Sequence, residues 1–184
     1  MSAEPSRSFS DIGLPEGHAF PQLAYHYPTG TIIAHTRPLK SLLPSHRLSM
    51  RSVSKARYTP IGDFTPAVSI SSFALNPTLP ELYFVTESWR EIGDTVGGDW
   101  DALHRFTLDT RQSEIVARPG DLAVQAPYRT GWLAELLSVA PDGGTLFCRA
   151  GFQTERGTVE YYLSEYSVPY RRLIVISRLE RAFA

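Results

Sequence analysis

Short apolar runs alternate with Gly- and Pro-bearing turns along the chain, and one strand-turn-strand pattern recurs. Ser72-Phe73-Ala74-Leu75 passes through Asn76-Pro77 into Leu82-Tyr83-Phe84-Val85. Ser138-Val139-Ala140 passes through Pro141-Asp142-Gly143-Gly144-Thr145 into Leu146-Phe147-Cys148. A fainter copy leads from Tyr27-Pro28-Thr29-Gly30-Thr31 into Ile32-Ile33-Ala34. Recurrence at a spacing of about 50 residues is the signature of a repeat architecture.

The elements follow from the same pattern. Residues 23–35 predict a hairpin about Pro28-Thr29-Gly30, with β-branched residues after the turn. The loose alternation of Leu48, Met50, Val53, Ala56 and Tyr58 predicts a strand pair or one irregular strand. Residues 68–75 and 82–86 form a second hairpin. Residues 87–98 read as a long polar loop ending in Gly97-Gly98-Asp99-Trp100. A strand with period two follows, Leu103, Arg105 and Thr107 on one side and His104, Phe106 and Leu108 on the other. Asp109-Thr110-Arg111-Gln112 is a turn, and 114–117 closes that unit. In 132–140, Leu133, Leu136 and Leu137 would suit a short helix, but the run enters a Pro-Asp-Gly-Gly turn, which favours a strand. Strands are also expected at 158–166 and 173–177. Residues 1–17 read as a flexible lead-in. The rest is expected to be one all-β domain of about three units, near 18–64, 65–120 and 128–184.

Composition supports a folded chain. Of 184 residues, 42% are hydrophobic and 11% aromatic, enough for a core, and Gly 13 with Pro 14 suits many turns. Cys148 is the single cysteine, so no intrachain disulfide can form. It reads as a small buried residue, with a catalytic thiol the minor alternative. No stretch approaches the ~18 apolar residues of a membrane span. Residues 1–11 carry no apolar signal-peptide core, so a cytoplasmic compartment is expected.

Net charge is −1, but unevenly spread. Residues 17–62 hold no acid, only Arg37, Lys40, Arg47, Arg51, Lys55 and Arg57 with His18, His26, His35 and His46. Glu81, Glu87, Glu91, Asp94, Asp99 and Asp101 then crowd together against Arg90 alone. Solvated faces, or two segments packed together, explain this most simply. An anion-binding surface along 37–57 is the alternative. Nucleic acid is disfavoured because that stretch has few aromatics for base stacking.

With those residues placed, the chain resembles a known family. Ser138-Val139-Ala140-Pro141-Asp142-Gly143-Gly144-Thr145-Leu146 is similar to the S-x-S-P-D-G-x-x-L opening of TolB-like or WD40-like β-propeller blades. Leu103 to Leu108 is similar to the strand that follows there. Asp109-Thr110 matches the next turn, with Arg111 in place of its Gly. The resemblance covers 68–118 and 136–177, and 23–58 poorly. It implies antiparallel four-stranded blades. A β-sandwich or barrel is the alternative, and a mixed α+β fold a further one. Propellers have four to eight blades, whereas this chain has room for about three. Such a stack leaves open edges, so it would be part of a larger protein, a homodimer closing a ring, or another fold.

Candidate chemistry is thin. Asp94-x4-Asp99-x-Asp101 around Gly97-Gly98 could offer oxygen ligands to calcium, but its spacing departs from an EF-hand loop. A solvated acidic loop is expected, with no metal or cofactor. His26 and His35 could approach across the first hairpin, but a zinc pair needs a third ligand, absent from that stretch. His104 reads as a hydrogen-bonded structural histidine. There is no Gly-x-Ser-x-Gly elbow and no phosphate loop. The candidate ligand-binding set is Trp89, Arg90, Asp94, Trp100, Tyr128 and Trp132, placed on loops or strand entries. Packing of each Trp between sheets is the alternative. The expected function is a non-catalytic binding or scaffolding module contacting a protein or carbohydrate, without membrane contact. The alternatives are a hydrolase or lyase whose site is completed by assembly, and the anion-binding surface.

Overall fold

The computed structural model describes residues 18–38, 46–55, 57–62, 64–65, 68–92 and 95–178, and every regular element among them is a β-strand. Strands β1 (His18–His26), β2 (Thr31–Pro38), β3 (Arg47–Ser52) and β4 (Thr59–Ile61) form the first sheet in chain order. Strands β5 (Val68–Leu75), β6 (Glu81–Ile92), β7 (Thr95–Thr107) and β8 (Gln112–Ala117) form the second. The third contains β10 (Tyr128–Val139), β11 (Thr145–Thr154), β12 (Val159–Ser167) and β13 (Arg172–Arg178), with the short β9 (Ala123–Val124) added parallel to β13. All other pairings are antiparallel.

One backbone hydrogen bond fixes the equivalence of the three sheets. The residue after the third strand donates its N–H to the carbonyl preceding the second strand. This is Val53 to Gly30 at 2.9 Å, Leu108 to Pro80 at 2.7 Å and Val168 to Gly144 at 3.0 Å. Ile33, Tyr83 and Phe147 therefore occupy one position, and Ile32, Leu82 and Leu146 the next.

Period two then decides the packing. Ile33, Leu48 and Met50 of the first sheet share a core with Leu82, Phe84 and Phe106 of the second. The opposite face of the second sheet, Tyr83, Val85 and Leu103, shares a core with Leu146, Cys148 and Tyr166 of the third. Each sheet thus presents one kind of face to its successor and the other kind to its predecessor, a head-to-tail stack. The second sheet is covered on both sides, which is why Leu82-Tyr83-Phe84-Val85 is a continuous apolar run with all four side chains fully buried. Each such side chain contributes roughly 2–3 kcal/mol by removal from water.

Two expectations need correction. The polar segment after Val85 is no loop: β6 and β7 continue as a two-stranded ribbon, pairing Glu87 with Trp100, Ser88 with Asp99 and Trp89 with Gly98. Its polar residues and paired glycines lack the alternating apolar pattern of the other strands, so its sequence looks like a loop. His26 and His35 do not approach each other. Register sets His26 opposite Thr31 and His35 opposite Gln22, at separate places along the hairpin. The 47–58 stretch is a single strand, β3, followed by a turn, with β4 beginning at Thr59.

Candidate functional site

The third sheet's outer face is left uncovered by the stack and carries aromatic side chains. Register places Trp132, Gly151 and Tyr161 side by side across β10, β11 and β12. The Trp132 ring lies over the Gly151 backbone, where an added Cβ would come within 2.4 Å of the indole. Any residue but Gly would displace the ring. Tyr161 meets Trp132 edge-on at 6.3 Å and is 43% exposed. The Arg149 guanidinium sits 5.5 Å from the Tyr161 ring centre and 3.6 Å from a Glu135 carboxylate. One row along, Phe147 pairs with Glu165. This face is aromatic, partly charged and flat.

Trp89 belongs to a second Trp-over-Gly pair. Its ring covers Gly98 directly opposite, with 2.9 Å left for a Cβ. Beside it, burial raises the Glu87 carboxyl above its usual range. Trp100 and Tyr128 pack against the core between the second and third sheets. Tyr128 meets Phe152 at 4.7 Å and Tyr162 at 5.5 Å. Of the six candidate residues, Trp132 alone lies on the outer face of the third sheet. Arg90 has its backbone in β6, opposite Gly97, but its side chain lies outside the described set. Asp94 lies outside the described residues altogether. Asp101 accepts a hydrogen bond from Thr86 at 3.2 Å. Among the described residues no three His, Cys, Asp or Glu side chains converge as a metal site would need.

Two histidines, His35 and His104, and the cysteine are buried. His104 stacks on Phe84, ring centres 4.8 Å apart, and its Nε2 meets the Thr86 hydroxyl at 3.1 Å. His35 Nε2 lies 2.8 Å from the Ile70 carbonyl, to which it donates as a neutral ring. Burial lowers both histidines to about 4. Burial also pushes the Cys148 thiol up to about 12, so it is a poor nucleophile. The sequence signal missed Tyr161, Arg149 and Phe147, because strand register alone brings them beside Trp132.

No family model matches the chain, and no curated protein matches it. Among solved structures it is similar to one described as Hadza microbial sialidase Hz136, with 12% identity and a TM-score of 0.45. That match covers 81% of this chain and 35% of the other, so this chain spans about a third of its length. A likeness at that score carries no functional argument.

Proposed function

We propose that the chain is a non-catalytic binding and scaffolding module of three propeller-like blades, and that its partner is a second copy docking head to tail. The carrying observation is the repeat itself. Phe147 on the third sheet occupies the position of Ile33 and Tyr83, both fully buried against the next sheet. Its face waits for a successor. The outer face of the first sheet, with Ile32 paired to Tyr25 and to Arg51, occupies the position that Leu82 and Leu146 bury against a predecessor. The two free faces are therefore counterparts of surfaces that already fit each other twice within the chain. Arg51 on one and Glu135 and Glu165 on the other add charge complementarity. Heterologous faces of this kind close a ring or extend a filament. Burial of both histidines and of Cys148 supports the non-catalytic part of the reading.

Light scattering across a concentration range tests it. A mass above one chain is expected, reduced to one chain by Tyr161→Glu or by Tyr25→Glu. Mixing the two variants should restore a one-to-one pair, because each supplies the face the other lacks. A wild-type chain that stays single at every concentration would overturn the docking. Trp132 and Tyr161 would then be left as a stacking surface for a carbohydrate.

A further inference from the structure

A cavity of about 430 Å³ opens where the end of the first sheet meets the β7–β8 turn of the second. Arg51, Lys55 and Arg57 line it from the first sheet, and Asp109 and Arg111 from the second. Four cationic residues and one acidic residue thus border it, the Arg51 side chain itself lying with Ile32 on the outer face of the first sheet, over the Tyr58 ring. Among the described residues none of the four forms an ion pair, the pairs lying instead at Arg105, Arg149 and Arg178. Arg51 is held in place: its Nη1 donates to the Lys55 carbonyl at 2.8 Å, and its guanidinium lies 5.2 Å from the Tyr58 ring centre. Its Nε is buried and has no hydrogen-bond partner. Lys55, Arg57 and Arg111 concentrate positive charge at one opening, which favours an anion there.

We propose that this cavity binds a small organic oxyanion, held between Arg57 beside the first sheet and Arg111 of the second. Guanidinium forks match the paired oxygens of a phosphate or carboxylate. The volume falls in the range of small-molecule sites, larger than one inorganic ion requires. Met50 and Leu108 give the lining an apolar part against which a carbon skeleton can lie. Among the described residues no aromatic side chain lines the cavity, so a nucleobase would find nothing there to stack on. The ligand class is therefore a small phosphate ester or polycarboxylate. Because its contacts come from both sheets, it also clamps the seam between them.

Arg111 offers a clean test. It takes a left-handed backbone with φ of 57°, and Arg171 does the same in the corresponding turn of the third sheet, with φ of 49°. Glycine suits such a position, so Arg111→Gly should fold as well as the wild type while losing an anion ligand. Arg171→Gly relieves the same strain far from the cavity and is the control. Thermal melting is followed with pyrophosphate or citrate at an ionic strength held constant by chloride. Saturable stabilisation is expected, a rise of about 5 °C near 100-fold excess over Kd. Arg171→Gly should keep that response, and Arg111→Gly or Arg57→Gln should weaken binding about tenfold or more. A response to pyrophosphate alone assigns a phosphorylated ligand, and a response to citrate alone a polycarboxylate. Responses to both support the shared chemistry. No response to either, or a response in Arg111→Gly and Arg57→Gln equal to that of the wild type, would overturn the site. Neither variant alters Tyr25 or Tyr161, so this outcome is separate from that of the docking experiment.

Discussion

The seam between the first and second sheets and the seam between the second and third are built by the same head-to-tail operation from different chemistry. The first contains Ile33, Leu48, Phe84 and Phe106 together with His35 and His104. The second, with Tyr83, Leu146, Phe152 and Tyr166, contains no histidine. Its polar ties include the Tyr83 hydroxyl, which donates to the Gly143 carbonyl at 3.1 Å and lies 3.3 Å from a Glu81 carboxylate oxygen, and Leu136 N–H, which donates to Ser72 Oγ at 3.0 Å. Packing geometry is thus shared, while the buried His35 and His104 belong to one seam.

Acid gives the largest effect. Both histidines have folded values near 4, below the ordinary 6.5. The unfolded chain therefore binds protons first as pH falls. Stability is fully present above pH 6.5 and is lost through about pH 4, by about 3 kcal/mol per histidine. Hydrogen exchange across that range should show the first seam opening before the second. Simultaneous opening would mean that the sheets unfold as one unit.

Core truncation sharpens the comparison between covered and uncovered faces. Phe84→Ala, in the doubly covered sheet, should cost about 3–5 kcal/mol in denaturant unfolding. Phe147→Ala, on the outer face of the third sheet, should cost less than about 1.5 kcal/mol in a dilute single chain. A cost that grows with protein concentration would place Phe147 in an interface.

The smallest effect concerns the two Trp-over-Gly pairs. Gly151→Ala should displace Trp132 and change its fluorescence, at a cost of about 1 kcal/mol, because a half-buried ring can swing outward. Gly98→Ala should do less to Trp89, since its clash is looser. Unchanged fluorescence in both variants would contradict the placement of the rings.

Local rules made part of the fold legible. The strand at 103–108 was readable from period-two alternation, and the one at 132–140, which would also suit a short helix, from the Pro-Asp-Gly-Gly turn it runs into. The departure at Arg111, an Arg where the resembling family has Gly, was visible too, and the turn does take the conformation that glycine favours. The ribbon of β6 and β7 was not legible, because its charged residues and glycines hide the alternation that marks the other strands. The cavity was half legible. The basic stretch announced Arg51, Lys55 and Arg57, but nothing local joined them to Arg111, more than 50 residues away.

By itself the sequence determined the all-β class, the recurrence of hairpins and the buried character of Cys148, since turn residues and side-chain alternation act over a few positions. Which face of each hairpin is buried, which tryptophan meets which glycine and which cations share a cavity were decided only in the tertiary structure. The three copies offer apolar residues on both faces, and only the stacking of one sheet on the next determines which of them meet water.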